Sequence, residues 1–269
     1  MDLGLGGKVA LVTGGSKGIG RAVALALARE GARVGIVARD AERLERVAGE
    51  IRQATGAEVV PFPGDVMRPE DPPRIADQAA AHFGRLDILV NNAGAAPGGV
   101  LLDLTEEHWA LALQTKFLGY IRFMKAVIPH MLRAGGGRIV NIVGNDGIKP
   151  AFWELTPSAA NAADLAVTQA LAEQYGPHGI LVNAINPGPV ATDRWDGLVA
   201  AYARDMGLST EEASRLATAS IPLGRICTPE EVADVAVFVA SPRASFMNGA
   251  LITLDGGQRK ALMDVRGRR

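Results

Sequence analysis

A cluster of glycines around a lysine is the first place in this 269-residue chain where residue types and spacing point to chemistry. An apolar run leads straight into Thr13-Gly14-Gly15-Ser16-Lys17-Gly18-Ile19-Gly20, and a helical pattern follows. Glycines at such a turn let the backbone bend tightly and let a pyrophosphate approach the helix N-terminus, where free N–H groups and the dipole favour negative charge. The same residues also suit an ordinary glycine-rich turn, and the Gly-x-x-x-Gly-x-Gly spacing departs from the usual dinucleotide fingerprint. A second cation, Arg39, follows the next apolar run. Ala38 stands there in place of the acidic residue that hydrogen-bonds a ribose 2′-OH. Lys17 and Arg39 converging on a 2′-phosphate make physical sense, since Arg grips phosphate with a forked pair of bonds. The competing reading is two solvated surface charges, and Asp40 beside Arg39 weakens the phosphate reading.

These residues must be positioned by regular elements, and the pattern supplies them. Short runs rich in Val, Ile and Leu fall at 8–13, 33–38, 58–61, 86–91, 137–143, 180–186 and 250–254. They do not alternate with polar residues, as expected for parallel strands buried on both faces. Helical periodicity occupies 19–30, 41–55, 72–83, 106–133, 157–175 and 229–240. Repeated strand–helix–strand crossovers predict an α/β fold of Rossmann type, doubly wound, with a seven-stranded parallel sheet and helices on both faces. The expected organisation is one domain over 1–258, with 192–220 as a helical substrate lid and 259–269 as a basic tail. That tail carries Arg259, Lys260, Arg266, Arg268 and Arg269 against Asp264.

Composition narrows the function classes. With 28 Lys+Arg against 29 Asp+Glu, the net charge of −1 argues against nucleic-acid binding, which needs a basic face. No apolar stretch approaches the roughly 18 residues of a transmembrane helix, and the N-terminus lacks the pattern of a signal peptide. The single cysteine, Cys227, leaves no internal disulfide and no cysteine-based metal site. None of His82, His108, His130 and His178 has metal-ligand spacing, so no metal is expected. The chain reads as a cytoplasmic protein with a small-molecule substrate, and with no nucleic-acid or membrane partner.

Further motifs follow the glycine turn in order: Gly64-Asp65-Val66, Asn91-Asn92-Ala93-Gly94, Asn186-Pro187-Gly188-Pro189-Val190-Ala191-Thr192, Thr228-Pro229-Glu230-Glu231-Val232 and Asp255-Gly256-Gly257. Together they resemble the short-chain dehydrogenase/reductase family, from about residue 5 to residue 258. The resemblance implies a nicotinamide dinucleotide. Gly14, Ser16, Lys17, Gly18, Ile19 and Gly20 would cradle its phosphates, and Asp65 and Val66 the adenine. Asn91, Ala93 and Gly94 would lie alongside, with Pro187, Gly188, Val190 and Thr192 at the nicotinamide end. Basic residues at 17 and 39 resemble the family's NADP-preferring members, so NADP(H) is the expected cofactor. Homodimers or homotetramers, with 106–133 and 157–175 as subunit contacts, are implied in the same way.

The resemblance also implies a catalytic set of Ser, Tyr and Lys, with an Asn on the preceding long helix, and here the chain departs from it. Ile139-Val140-Asn141-Ile142 upstream and Ala170-Leu171-Ala172-Glu173 downstream set the register without a gap. The Ser position is then Gly144, the Tyr position Pro157 and the Lys position Asn161. Counting from Trp109 puts the Asn position at Lys116. Tyr120, Tyr175 and Tyr202 are followed four residues later by Met124, Gly179 and Met206, so no Tyr-x-x-x-Lys exists in the chain. Thr156 suits a helix N-cap and Pro157 a first helical position.

Positioned acid–base catalysis contributes about 10²–10⁴-fold, so its loss would slow the ordinary alcohol–ketone reaction by that order. Lys116 and Asn161 read as an exchange of Lys and Asn types between two neighbouring positions. Lys116 would then stabilise an oxyanion or donate a proton; in the competing reading both positions drifted, or Lys116 binds cofactor hydroxyls. Asn145, Asp146, Lys149, Glu154 and Ser158 are the other polar groups near the expected pocket. Asp146, at the C-terminal edge of a strand, and Ser158 are the further catalytic candidates. Trp153 and Trp195 either wall an apolar pocket or simply pack. The expected function is an atypical NADP(H)-dependent oxidoreductase acting on a small or medium apolar carbonyl, alcohol or activated double bond. The alternatives are a non-redox isomerase, cyclase or lyase on the same scaffold, and a non-catalytic NADP(H)-binding protein.

Overall fold

A computed structural model describes residues 1–258; the basic tail anticipated at 259–269 lies outside the described residues. Seven strands form one parallel sheet in the order β3-β2-β1-β4-β5-β6-β7. They are β1 (Val9–Thr13), β2 (Arg33–Ala38), β3 (Val59–Pro63), β4 (Ile88–Asn91), β5 (Gly137–Ile142), β6 (Ile180–Pro187) and β7 (Leu251–Leu254). Every residue of β1 is buried, because helices cover both of its faces, which is why it reads as an unbroken apolar run. Its Val12 pairs with Ile36 of β2 on one side and Val90 of β4 on the other. The chain order reverses between β1 and β4, and at such a switch point the strand ends open into a crevice suited to a ligand.

The helices are α1 (Gly18–Arg29), α2 (Ala41–Thr55), α3 (Asp71–Phe83), α4 (Glu106–Ala112), α5 (Leu118–Arg133), α6 (Leu155–Tyr175), α7 (Asp193–Met206), α8 (Thr210–Ala219) and α9 (Pro229–Ala240). Val23 and Leu27 of α1, Leu44 and Ile51 of α2 and Val237 of α9 fill one layer against the sheet. Ile75 of α3, Phe123 and Val127 of α5 and Ala172 of α6 fill the other. Each fully buried Val, Leu or Ile contributes about 1.5–3 kcal/mol of transfer free energy, so these two layers carry the fold. A third cluster, with Trp153, Trp195 and Tyr202, holds α7 and α8 over the C-terminal edge of the sheet. No described helix is long and apolar enough to cross a membrane.

Two sequence expectations need revision. The helix expected over 106–133 is interrupted by a π-helical turn at Leu113–Phe117 between α4 and α5. The helix expected from Pro157 instead begins at Leu155, with Glu154 as its flanking residue. Thr156 caps nothing there; its hydroxyl donates to the Pro97 carbonyl at 2.6 Å, a tertiary contact that no local signal announces.

Candidate active site

The loops after β1, β2, β3, β4, β5 and β6 converge on one cleft of about 1130 Å³ along the C-terminal edge of the sheet. At its β1 end, Gly14 has φ +69°, and a Cβ there would lie 2.7 Å from the Asn92 amide nitrogen. A Cβ on Gly20 would come within 2.3 Å of the Gly14 carbonyl. Only glycine permits this crossing of loop and helix, which opens the N-terminus of α1 to the cleft. No side chain caps that N-terminus and no acidic residue stands in its first turn, leaving its N–H groups for an anion. Gly14, Ser16, Lys17, Gly18 and Ile19 line the cleft, whereas Gly20 lies behind them as the close-approach residue.

Arg39 also lines the cleft, and neither it nor Lys17 pairs with a carboxylate among the described residues. Asp40 does not oppose them. Its side chain caps α2 by accepting from Arg43 N at 3.0 Å, and it pairs with the Arg43 guanidinium at 3.6 Å. Arg43 is itself a cleft residue, missed at the sequence level although its place in the first turn after β2 marked it. Asp65 and Val66 line the cleft further along. The Asp65 carboxylate accepts from Met67 N at 3.0 Å, and Arg122 donates to the Val66 carbonyl at 3.0 Å. These features fit a dinucleotide phosphate chain with an additional phosphate: a glycine cradle that a Cβ would fill, unpaired cations at its rim, and an uncapped helix.

Ala93 and Gly94 reach the cleft wall, as do Pro187, Gly188, Val190 and Thr192. Asn91 is fully buried beneath them and donates to Asn141 Oδ1 at 3.0 Å, so it supports the wall without forming it. Thr192 caps α7 by accepting from Trp195 N, which starts that helix at the edge of the cleft. Val190 forms an isolated parallel bridge to Cys227, and Ala191 N donates to the Cys227 carbonyl at 2.9 Å, fixing that loop. Trp195 lines the cleft. Trp153 does not: it is fully buried, packs edge-on against Tyr202 at 5.5 Å and donates to Asp205 at 3.0 Å.

The inner end of the cleft gathers Lys116, Asp146, Glu154, Asn161 and Arg194. Lys116 comes from the π-helical turn, a feature frequent at functional sites, and its Nζ donates to the Val143 carbonyl at 3.3 Å. Burial pulls its ammonium below the ordinary lysine range, with Arg194 acting the same way and Asp146 opposing. Asp146 follows β5 and accepts from Asn161 Nδ2 at 2.5 Å. Gly144, also on the wall, has φ +145°; a Cβ there would lie 2.6 Å from both Asn161 Nδ2 and Asp146 Oδ1. Burial and the nearby Asp146 lift the Glu154 carboxyl to about 8, against the pull of Arg194 and Lys116. Arg194 opens into the cleft from α7 and, among the described residues, hydrogen-bonds backbone carbonyls alone, Gly94 at 3.4 Å and Ala96 at 3.5 Å.

Ser158 is not part of this group. Its hydroxyl is buried off the cleft wall, because one residue past Pro157 turns the side chain about 100° round α6, and it has no hydrogen-bond partner among the described residues. Asn145 and Lys149 are taken up structurally, Asn145 by Gln258 at 2.8 Å and Lys149 by Asp255 and the Gln258 carbonyl. Asp164, three residues past Asn161, is 1% exposed, and both carboxylate oxygens lack a hydrogen-bond partner among the described residues. Burial lifts it to about 7, opposed by Lys116. Arg194 and Asp164 escaped sequence reading because nothing local distinguishes them from a surface helix charge. The histidines lie elsewhere: His82 meets Glu58 at 2.8 Å, His130 meets Asp77 at 2.9 Å, and His108 accepts from Thr105 N at 3.2 Å.

Residues 14–259 match the family described as enoyl-(acyl carrier protein) reductase. D-Threitol dehydrogenase of Mycolicibacterium smegmatis is 36% identical over 260 residues, which span 95% of this chain and 94% of that protein. The NADPH-dependent reductase BacG of Bacillus subtilis is 32% identical over 256 residues, 95% of this chain and 99% of its own. Among solved structures, L-sorbose reductase of Gluconobacter frateurii, complexed with NADPH and L-sorbose, superposes with a TM-score of 0.90 at 32% identity. That match covers 97% of this chain and 100% of the reductase.

Proposed function

The chain belongs to the short-chain dehydrogenase/reductase family, and on that premise we propose that it is an NADP(H)-dependent oxidoreductase with a replaced acid/base set. Its substrate class is a small or medium apolar carbonyl, alcohol or activated double bond. When bound, NADP(H) supplies or accepts a hydride at its nicotinamide ring. Gly14, Ser16, Gly18 and Ile19 would hold the pyrophosphate at the α1 N-terminus. Lys17, Arg39 and Arg43 would take the 2′-phosphate, Asp65 and Val66 the adenine end, and Ala93, Gly94, Gly188, Val190 and Thr192 the nicotinamide end. The α7–α8 segment serves as the substrate lid, with Trp195 supplying an apolar wall.

One observation carries the replaced acid/base reading. Gly144, at the position where the family places its Ser, has a backbone conformation that side chains rarely adopt, and the Asn161–Asp146 hydrogen bond fills the space a side chain would need. Pro157, at the position of the family's Tyr, faces the same cleft without a proton to give. The remaining polar groups do the work instead. Lys116 stabilises developing negative charge on the substrate oxygen, and Asn161 holds Asp146 in place. With an activated double bond, the proton comes from solvent or from Lys116, so the absence of a Tyr costs least there.

Fluorescence titration with NADPH, with NADH beside it under identical conditions, tests the cofactor reading. Tight NADPH binding with weak NADH binding is expected, followed by NADPH consumption in a carbonyl and enone screen. Binding of neither dinucleotide would overturn the proposal.

A further inference from the structure

We propose that the Glu154 carboxyl is the proton donor and acceptor of this site, delivering its proton to the substrate oxygen when a carbonyl is reduced and recovering it when an alcohol is oxidised. The inference rests on the oxidoreductase reading. In the reductive direction the carbonyl carbon gains a hydride, with its electron pair, from the reduced nicotinamide. The C=O π pair passes to oxygen, that oxygen bonds the Glu154 proton, and the carboxylate left behind regains a proton from water.

Glu154 is placed for this. It stands at the mouth of α6, on the cleft wall that Pro157 and Asn161 continue one and two turns further along the helix. It therefore sits one helical turn from Pro157. Its backbone is held from several directions: its N–H donates to the Ala151 carbonyl at 3.2 Å, and its own carbonyl accepts from Ser158 N at 2.9 Å. It also bridges Gly99, whose N–H donates to the Trp153 carbonyl at 2.7 Å. Trp153 is pinned in turn by Asp205 and Tyr202. A fixed base with a free side chain is what a proton-transfer group requires.

The side chain is free. Among the described residues the Glu154 carboxyl makes no hydrogen bond or ion pair, unlike several other acids in and beside the cleft. Asp146 is held by Asn161, Asp255 by Lys149, and Asp40 by Arg43. The groups facing Glu154 are Asp146 from the loop after β5, Lys116 from the π-helical turn and Arg194 from α7. Partial burial and the Asp146 charge disfavour a second carboxylate, while the two cations keep ionisation within reach. A group so balanced holds a proton at neutral pH and releases it to a developing oxyanion. The rivals are worse placed. Asp164 is buried behind the wall, and the Lys116 ammonium is engaged with the Val143 carbonyl.

The test uses Glu154→Gln and the conservative Glu154→Asp in the full chain. The first readout needs no cofactor: infrared pH titration of the purified protein should show a protonated carboxyl band that disappears near or above neutrality. In Glu154→Gln the Glu154 contribution to that band should be lost, leaving the contribution of buried Asp164. The second readout is NADPH oxidation with 1-phenyl-1,2-propanedione as the carbonyl probe. Glu154→Gln should slow it by about 10²–10⁴-fold and flatten its alkaline limb, with NADPH affinity and Tm unchanged. Glu154→Asp should restore part of the rate. A Glu154→Gln protein with the wild-type rate and pH profile, or an unchanged infrared band, would overturn Glu154 as donor and leave the reductase reading standing. A wild-type protein that neither binds NADPH nor reduces the diketone would overturn both.

Discussion

Asn161 Nδ2 donates to Asp146 Oδ1 at 2.5 Å directly over the Cα of Gly144, so the hydrogen bond occupies the volume that a side chain at position 144 would fill. Placing a hydroxyl there is therefore not a neutral change. Gly144→Ser would force a side chain onto φ +145° and into contacts of 2.6 Å on both partners. The expected loss is at least the 1–3 kcal/mol typical of such backbone strain, seen as a lower urea midpoint with unchanged slope. A Gly144→Ser protein as stable as wild type would show that the Asn161–Asp146 pair yields freely.

Arg39 lines the cleft without a carboxylate partner. Arg39→Ala should weaken NADPH by about 10- to 100-fold, the worth of a charge-assisted hydrogen bond of roughly 1.5–3 kcal/mol. NADH should bind equally well to both proteins. Paired fluorescence titrations read this directly, and equal losses for the two dinucleotides would remove Arg39 from the 2′-phosphate.

Lys116 lines the inner end of the same cleft. Replacing it by Met keeps the stem but removes the charge, and turnover should fall by about 10²–10³-fold if the ammonium stabilises an oxyanion. NADPH affinity should stay within a few-fold. Because Lys116 holds Glu154 down, the alkaline limb of the rate profile should also move to higher pH. Full turnover in Lys116→Met would exclude the role.

Asp164 makes stability depend on pH. Burial lifts its carboxyl from 3.8 to about 7, so the folded chain keeps a proton that the unfolded chain releases. Stability from this group is intact below the unfolded value, falls as pH rises towards about 7, and is level above that. Asp164→Asn removes the dependence. Relative to wild type, the variant should gain on the order of 4 kcal/mol between pH 4 and pH 8, from about 1.36 kcal/mol per pKa unit. Urea unfolding at both pH values measures the difference, and a constant gap would refute the assignment.

Much of the architecture was legible because it rests on local patterns. Arg33–Ala38 and Ala41–Thr55 appear with the bounds their periodicity predicts, and the other strands shift by one or two residues at their ends. The glycine turn was equally legible, since the φ of Gly14 and the close approach of Gly20 are demands that only one residue type meets. The start of α6 was not. Thr156 and Pro157 carry a good local capping signal, yet the Thr156 hydroxyl is drawn to Pro97, and the helix begins at Leu155. Ser158, one residue round α6 from Pro157, stays off the cleft, and Glu154, just before the helix, lines it.

By itself, then, the sequence determined the parallel sheet, the glycine turn before α1 and the cations beside it, because each depends on residue types within a single strand–turn–helix unit. Only the tertiary structure decided the character of the inner site. Lys116, Asp146, Glu154 and Arg194 arrive from four separate elements. How readily Lys116 and Glu154 hold a proton is set by burial and by their neighbours' charges, and neither quantity exists until those elements pack together.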